Sequence, residues 1–383
     1  MIIKNASVYT EENRFEEKDV YIAGEVFADE NGKGVGKEVI IDADGCYAIP
    51  GLTDIHFHGC MGSDFCDGTI EAIDTMAAYE ASVGVTTIVP ATMTLGSDQL
   101  YQICETAAAY KKAQEAGEKE GKAIFCGINM EGPFISKDKM GAQNPAYIHN
   151  ADQELFNTMQ EKSGNLIKLV AIAPETDGAM EFIHANRGKT VLSLAHTTAD
   201  YDTAMKAFKE GASHVTHLYN AMPPFSHRAP GVVGAAADAG AEAELICDGV
   251  HIHPGTVRAT FKMLGDDKII LISDSMMATG LEDGNYSLGG QDVKVTGTLA
   301  TLKDGTIAGS ATNLMDCVRR AVKDMQIPLE SAVKCAAVNS AKSVGIYDKY
   351  GSISTGKVAN LVLLRKEDLS LYKVILKGQV LKK

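Results

Sequence analysis

Two histidines separated by one residue, His56 and His58, follow an apolar stretch of this 383-residue chain. Residues two apart on a strand face the same side, so the pair could present two imidazoles to one metal ion. Alone the pair is a weak signal, because two polar residues at a strand end would look the same. Four further metal-capable or acidic residues also follow short apolar stretches, namely Glu131, His196, His217 and Asp274. This repeated placement predicts one metal-dependent hydrolytic site.

Glu131 and Asp274 are the carboxylates of the set, and each has a structural alternative. Glu131 precedes Gly132-Pro133, a rigid turn that would hold its side chain over the site, although a helix cap or a salt-bridge partner would look similar. Asp274 could take a proton from water whose pKa a metal has lowered to about 7, and later pass it to a leaving group. The alternative is that Asp274 caps a helix after Ser275. Six such residues together favour the metal site.

The apolar stretches before these residues have the composition of buried strands. Near-continuous β-branched runs are typical of strands buried on both faces, which belong to parallel sheets. Eight strands are predicted, at 47–55, 86–89, 123–130, 168–172, 190–195, 215–216, 244–247 and 269–273. Helical patterns alternate with them, at 70–82, 100–116, 199–209 and 255–264. The sequence therefore predicts an α/β fold of the (β/α)8 TIM-barrel type, in which the carboxyl ends of the strands meet at one mouth.

The two ends of the chain have a different pattern. Short alternating segments with tight turns occupy residues 2–9, 19–23, 38–42, 359–364, 372–376 and 379–381. Such segments are typical of an antiparallel sandwich, and neither half could bury its own apolar face alone. We therefore expect a small β-sandwich domain formed by 1–46 plus 347–383, beside a barrel at 47–346.

Composition argues against several classes of partner. The formal net charge of −14 disfavours nucleic acid and anionic membranes, because both require a basic face. An anionic substrate would need positive charge concentrated in its own pocket. No apolar run approaches about 18 residues and residues 1–5 lack a signal-peptide pattern. The eight scattered cysteines include no CxxC pair, which is typical of reduced thiols, so we expect a cytoplasmic protein.

The other histidines carry weaker signals. His149, His184, His214 and His253 lack the placement of the six, and we predict structural or surface roles for them. The role of His227 stays open. So do the roles of two thiols that follow the histidine pair, Cys60 and Cys66.

Several motifs resemble those of the amidohydrolase superfamily and, within it, of the N-acetylglucosamine-6-phosphate deacetylases. The superfamily motifs are PGLTDIHFHG at 50–59 and GSISTGKVANLV at 351–362. The motifs more specific to the deacetylases are MEGPF at 130–134, THLYNAMP at 216–223, HRAPG at 227–231 and DGVH at 248–251. The resemblance covers essentially the whole chain. Related enzymes such as dihydroorotases bridge their metals with a carboxylated lysine, where this chain has Glu131.

The resemblance implies a divalent metal, one or two ions per subunit, with zinc expected and iron as the alternative. Glu131, His196 and His217 would hold the ion found throughout the family. His56 and His58 would hold a second ion with Glu131 as the bridge, although some members lack this pair and keep one metal. Asp274 would act first as general base and then as general acid.

The resemblance also implies how a phosphorylated amino sugar is held. Asn220 and the backbone at Ala221 would meet the phosphate. Arg228 and His251 would supply positive charge, one of them from the second subunit of a homodimer. Arginine suits phosphate because its planar fork donates two parallel hydrogen bonds. Gln143, where some relatives have histidine, would position the sugar or acetyl group; a loop-stabilising amide is the alternative.

The implied reaction is hydrolysis of the acetamide of N-acetyl-D-glucosamine 6-phosphate to D-glucosamine 6-phosphate and acetate, a step of amino-sugar catabolism and recycling. Two other functions stay open. The chain could hydrolyse another amide, with N-acetylgalactosamine 6-phosphate the nearest and a cyclic amide or ureido compound more distant. It could also be a barrel that has lost catalysis and serves as a binding or scaffold protein. The residues do not decide the metal, the occupancy of the histidine-pair site or the sugar epimer.

Overall fold

The structure, a computed structural model, describes residues 1–32, 34 and 39–382. Its strands are β1 (Ile2–Tyr9), β2 (Phe15–Ala23), β3 (Val26–Ala28), β4 (Ile40–Asp42), β5 (Cys46–Pro50), β6 (Leu52–Asp54), β7 (Gly59–Cys60), β8 (Ser63–Asp64), β9 (Val85–Ile88), β10 (Ile124–Phe125), β11 (Ile128–Met130), β12 (Ile167–Ile172), β13 (Val191–Leu194), β14 (His214–Val215), β15 (Glu242–Ile246), β16 (Ile269–Ile272), β17 (Gly284–Leu288), β18 (Gln291–Thr296), β19 (Leu299–Thr301), β20 (Leu361–Arg365), β21 (Leu371–Leu376) and β22 (Gln379–Val380). Its α-helices are α1 (Ile70–Ser82), α2 (Ser97–Glu115), α3 (Gln153–Ser163), α4 (Ala179–Asn186), α5 (Tyr201–Glu210), α6 (Gly231–Ala239), α7 (Pro254–Leu264), α8 (Leu314–Lys323), α9 (Leu329–Val333) and α10 (Asn339–Ser343). Within the described residues, none of these helices combines the length and the apolar character needed to cross a membrane.

Parallel strands form the part of the fold that carries the candidate site. One sheet has the order β10–β9–β6 and the other runs from β11 to β16 in chain order, with every pair parallel. All residues of β9, β11 and β16 are buried, as the β-branched runs predicted. The α/β class is therefore confirmed, with a curled parallel sheet at its centre.

Two apolar stretches that the sequence predicted as single strands are each divided at a glycine. The stretch 47–55 is divided into β5 and β6 at Gly51. A Cβ there would lie 2.2 Å from Thr86 Oγ1, so only glycine allows the backbone to come this close. The stretch 123–130 becomes β10 and β11, where a Cβ at Gly127 would lie 2.7 Å from Leu166 O. Each glycine lets the chain leave one sheet and enter another.

The two ends of the chain meet in one mixed sheet of eight strands. Its order is β22–β21–β20–β5–β1–β2–β3, with β4 also paired to β1. Strands of the two ends share this sheet through β5, which lies between β1 and β20. The β1–β4 and β1–β5 pairs are parallel, whereas antiparallel pairing was expected. The predicted segment 38–42 corresponds to β4, and its first residue, Glu38, lies outside the described residues.

Strand β20 separates two apolar cores. Leu361 and Leu363 pack into a core made only by the terminal strands and their connections, whereas Val362 and Leu364 pack into the main core beneath the parallel sheets. This alternation follows the two-residue period of a strand. The terminal sheet therefore buries side chains on both of its faces.

A three-stranded antiparallel sheet that the sequence did not predict follows β16. Its order is β17–β18–β19, and its inner side chains Leu288, Val293 and Val295 are buried. Gln291 Nε2 donates a hydrogen bond to Ala142 O at 2.5 Å, which ties this sheet to the loop after β11. The insertion thus borders the same end of the parallel strands as the candidate site.

Replacement of Leu361 by alanine should lower the free energy of unfolding by about 2–5 kcal/mol, because it leaves a cavity in the terminal core. Urea unfolding followed by circular dichroism measures this. Leu299→Ala is the control, since Leu299 is 41% exposed, and its effect should stay within about 0.5 kcal/mol. Equal effects for the two variants would contradict the described burial.

Candidate metal centre

All six residues of the predicted metal and proton-transfer set converge at the carboxyl ends of the parallel strands. His56 and His58 follow β6, Glu131 follows β11, and His196, His217 and Asp274 follow β13, β14 and β16. Their side chains are buried or nearly so. The structure therefore brings together residues that lie up to 218 positions apart in the sequence, as parallel strands allow.

Glu131 lies at the centre of this cluster. Its Oε1 is 3.1 Å from His217 Nε2, 3.2 Å from His196 Nε2 and 3.4 Å from His56 Nε2. Its Oε2 is 3.4 Å from His58 Nε2. Burial would raise the pKa of Glu131, but the surrounding imidazoles, His56 first, hold it well below its usual value. An ionised carboxylate thus faces four imidazoles.

The donor atoms fit a bound metal. Two groups have ligand atoms within 4.8 Å of one another, His56–His58–Glu131 and Glu131–His196–His217. The His196 and His217 Nε2 atoms lie only 3.1 Å apart and both face Glu131 Oε1. Buried His56 Nε2 has no hydrogen-bond partner. Imidazole nitrogens and a carboxylate are ligands that zinc and iron both accept. The cluster could therefore hold one or two divalent ions, with Glu131 shared.

The backbone at three of these residues has positive φ: 44° at His196, 28° at His217 and 50° at Asp274. Non-glycine residues rarely adopt this region, and the strain persists only where surrounding structure enforces it. Here the turn directly after each strand aims the side chain at the cluster. The Asp274 backbone N–H donates to His56 O at 2.9 Å, which fixes one such turn.

Asp274 faces the imidazoles of the cluster and caps no helix in the described residues. Its Oδ1 lies 3.3 Å from His58 Nε2 and 3.8 Å from His56 Nε2. Burial would raise the pKa of Asp274, but the hydrogen bond from His58 and the charge of His56 hold it below its usual value. The next α-helix along the described chain, α8, begins at Leu314 and is capped by Asn313. Asp274 is therefore an ionised carboxylate facing the cluster.

Three buried acidic residues that support the cluster were missed in the sequence analysis. Glu244 accepts hydrogen bonds from His56 Nδ1 and from the His217 backbone N–H. Asp54 accepts from the His56 backbone N–H and from Ser273, and burial raises its pKa to about 7 against these bonds. Asp248 bonds to His251 Nδ1 at 2.8 Å. A carboxylate inside an apolar strand, as in β15, is the signal that could have revealed Glu244.

A cavity of about 510 Å³ opens over the cluster. The predicted substrate residues Gln143, Asn220, Ala221 and His251 line it together with the metal-site residues. Leu288, Thr306 and Ile307, from the unpredicted antiparallel sheet and the loop after it, also line the cavity. Burial would lower the pKa of His251, but Asp248 raises it above its usual value, which favours the positively charged imidazole at the cavity.

Arg228 is not part of this cavity within the described residues. Both Arg228 and its neighbour His227 are exposed on the loop between His217 and α6. The other predicted phosphate-binding residues of the same loop, Asn220 and Ala221, do line the cavity. An exposed guanidinium at this place is free to reach a second molecule.

Gln143 uses both ends of its amide inside the protein. Its Nε2 donates to Glu131 Oε2 at 2.6 Å, and its Oε1 accepts from the Thr94 backbone N–H at 2.7 Å. Within this chain Gln143 therefore has the geometry of a loop-stabilising amide, the alternative stated in the sequence analysis. Gln143 also orients the central carboxylate, since its hydrogen bond holds Oε2 of Glu131.

The remaining histidines and thiols lie outside the cluster. His214 is buried and bonded to Ser193, whereas His149, His184 and His253 hydrogen bond near the surface. All eight cysteines are buried and free. Burial raises the pKa of Cys60 and Cys66 well above the usual value, so both thiols are protonated and unreactive.

Comparison with known proteins supports the family resemblance that the motifs indicated. Residues 47–381 match the model of the Amidohydrolase family. The chain is 39% identical to N-acetylglucosamine-6-phosphate deacetylase of Bacillus subtilis (strain 168), over 90% of this chain and 86% of that protein. It is 33% identical to the N-acetylglucosamine-6-phosphate deacetylase of Lysinibacillus sphaericus, over 99% and 97%.

A solved structure gives the same result. A mutant of N-acetyl-D-glucosamine-6-phosphate deacetylase from Mycobacterium smegmatis, in complex with N-acetyl-D-glucosamine-6-phosphate, superposes with a TM-score of 0.90 at 29% identity. The match covers 100% of this chain and 99% of that one. The resemblance inferred from the motifs is confirmed, and the chain belongs to the amidohydrolase family.

Proposed function

We propose that this protein hydrolyses the acetamide of N-acetyl-D-glucosamine 6-phosphate to D-glucosamine 6-phosphate and acetate. The observation that carries the proposal is the convergence of five metal-capable side chains and Asp274 in one cluster, of which all but His56 line one cavity. Relatives up to 39% identical, named as deacetylases of this substrate, support the choice of reaction and substrate. The retained donor set argues against a scaffold without catalysis.

The proposed metal ligands are His56, His58, Glu131, His196 and His217. Zinc is the expected ion, with iron as the alternative. A divalent ion held there would polarise the acetyl carbonyl and lower the pKa of water. The chain's own contribution is a fixed set of donors at strand ends, which needs no rearrangement when the amide enters.

Asp274 performs the proton transfers in this proposal. Its ionised carboxylate takes a proton from the attacking water as the new C–O bond forms. It then gives that proton to the amide nitrogen, because an amine leaves far more readily than an amide anion. Cleavage of the C–N bond releases the amino sugar phosphate and acetate. One carboxylate serves first as base and then as acid.

The phosphate is held by other residues of the same cavity. Asn220, Ala221 and His251 line it, which supports a phosphate site there. Arg228 completes this site from the second subunit of a homodimer, and its exposure supports that assignment. Gln143 lines the same cavity and positions the sugar or acetyl group beside Glu131. Arg228 and His251 thus place positive groups at the phosphate in a molecule of net charge −14.

We propose that the parallel strands close into a (β/α)8 barrel at 47–346. Three contacts support closure: the bridge between Ala91 and Asn129, and the hydrogen bonds from Asp274 N to His56 O and from His58 N to Ser275 O. With β10 and β11 as one interrupted strand, eight strands result. The separate apolar core of the terminal strands supports a β-sandwich domain at 1–46 plus 347–383, to which β5 also contributes. The eight free thiols support a cytoplasmic location.

Asp274→Asn should lower kcat by about 10²–10⁴-fold, because the amide side chain cannot accept the proton. Metal content, measured by mass spectrometry, should stay near that of the unchanged protein. Asp304→Asn is the control, since Asp304 is a carboxylate of the same cavity that accepts a hydrogen bond from the Thr306 backbone N–H. A kcat for Asp274→Asn within threefold of the unchanged protein would remove Asp274 from this role.

Metal removal should abolish acetate release, and zinc or ferrous iron should restore it, because the ligands alone do not polarise the amide. Release is measured with N-acetylglucosamine 6-phosphate beside its unphosphorylated and galacto counterparts. We expect the phosphorylated gluco sugar to have the highest kcat/KM. Preference for the galacto sugar would change the assigned substrate to N-acetylgalactosamine 6-phosphate. Absence of acetate release from any of the sugars would refute the deacetylase function.

Arg228→Met should raise KM for the phosphorylated sugar by about 10- to 100-fold, because a charged hydrogen bond to phosphate is worth about 1.5–3 kcal/mol. Co-expression of Arg228→Met with Asp274→Asn should regain activity, since one site of each mixed dimer then has both residues. Different affinity tags on the two variants, purified in sequence, isolate the mixed dimers. No regain from mixed dimers would exclude the action of Arg228 across subunits.

A further inference from the structure

Glu244 is a charged residue in the interior of a buried strand. It lies in β15 between Ala243 and Leu245, and all three are fully buried. An unpaired carboxylate in such a place costs several kcal/mol, so its partners must compensate. A well-packed apolar residue would serve the fold at least as well. The contacts of Glu244 should therefore explain why a carboxylate is present here.

One oxygen of Glu244 contacts two proposed metal ligands. Oε2 lies 2.8 Å from His56 Nδ1 and accepts a hydrogen bond from the His217 backbone N–H at 3.0 Å. An ionised carboxylate only accepts hydrogen bonds, so His56 Nδ1 carries the proton of that contact. A metal ion binds the neutral imidazole, whose lone pair would then be on Nε2. This atom faces Glu131 Oε1 and has no hydrogen-bond partner among the described residues.

The two contacted residues belong to different ligand groups. His56 is part of the His56–His58–Glu131 group and His217 is part of the Glu131–His196–His217 group. Glu131 joins the groups from the cavity side. Glu244 joins them through His56 Nδ1 and the His217 backbone N–H, and within the described residues it does not line the cavity. The two groups therefore share two carboxylates, Glu131 and Glu244.

We infer that Glu244 is a positioning residue that fixes the tautomer of His56 and holds both ligand groups in register. This inference rests on the proposed metal centre. Carboxylates that bond to the outer nitrogen of a metal-bound histidine set its orientation, and their loss typically weakens metal affinity 10–100-fold. The effect should be larger at the His56/His58 group, because Glu244 meets His56 through its ring and His217 only through its backbone.

Two substitutions separate charge from hydrogen bonding. Glu244→Gln keeps an acceptor oxygen for His56 and His217 but removes the charge. Glu244→Met has a similar shape and removes both. Glu80→Gln is the matched control: Glu80 is also fully buried, but within the described residues neither of its oxygens has a hydrogen-bond partner, so it bonds to none of the proposed ligands. Burial raises the pKa of Glu80 well above its usual value, so glutamine resembles its neutral form.

The experiment is zinc titration of each metal-free protein against a competing chelator, with circular dichroism as the check on folding. We expect two zinc sites per chain in the unchanged protein and in Glu80→Gln. Glu244→Gln should weaken the second site about 10-fold, and Glu244→Met should weaken it up to about 100-fold. Partial retention by glutamine is what a positioning role predicts.

The same Glu244 substitution, made in a protein that lacks His58, tests whether the loss of zinc affinity passes through His56. In His58→Asn, where the Glu131–His196–His217 group remains, Glu244→Gln should change zinc affinity by less than threefold. An undiminished loss there would overturn the inference, because Glu244 would then act on the fold as a whole. Affinities of both Glu244 variants within twofold of the unchanged protein would also overturn it.

The outcomes for the unchanged protein separate the two proposals. No zinc binding by the unchanged protein and by Glu80→Gln would refute the metal centre itself. Uptake of one zinc per chain would leave the centre standing but overturn the role of Glu244 at a second site. Two zinc sites whose affinities are the same in both Glu244 variants as in the unchanged protein would refute the positioning role alone.

Discussion

The burial of one negative charge, that of Glu131, is the constraint on which the rest of the structure depends. A carboxylate removed from water costs several kcal/mol unless cations or donors surround it. Four imidazoles meet that need here, and they come from the ends of three different strands. A one-residue shift of any of those strands would turn its side chains to the other face of the sheet. Strand register and site chemistry are therefore one problem in this fold.

Local patterns allowed much of the fold and most of the site to be predicted. The helix at 70–82 and the strand at 2–9 have the predicted limits, because an apolar period and turn residues mark both ends. The six residues of the cluster were found because each directly follows an apolar run. Glu244 was missed because its role depends on a hydrogen bond to His56, which is distant in the sequence and meets Glu244 only in the folded protein. The assignment of β5 to the terminal sheet likewise depends on distant contacts. The insertion β17–β19 is built from local hairpins, and the Gly289-Gly290 turn between β17 and β18 was a local signal that the sequence analysis did not use.

The electrostatics separate surface from cavity. The molecule as a whole is strongly acidic, yet the cavity lining includes Lys137, Lys139 and the charged imidazole of His251. Salt screens the acidic exterior over about 8–10 Å, whereas groups within the cavity act at contact distance. An anion that has entered the cavity therefore experiences its lining far more than the net charge of the protein.

The sheet formed by both ends of the chain has a consequence for how the protein is made. Strand β5 lies between β1 and β20, and β20 begins only at Leu361, more than 300 residues after β5. During synthesis β5 can pair with β1 early, but its other edge stays open until β20 leaves the ribosome. An open strand edge with apolar side chains is a surface for wrong pairing with other nascent chains. Ribosomes that stop before β20 would release a chain with a complete set of site residues and an aggregation-prone edge.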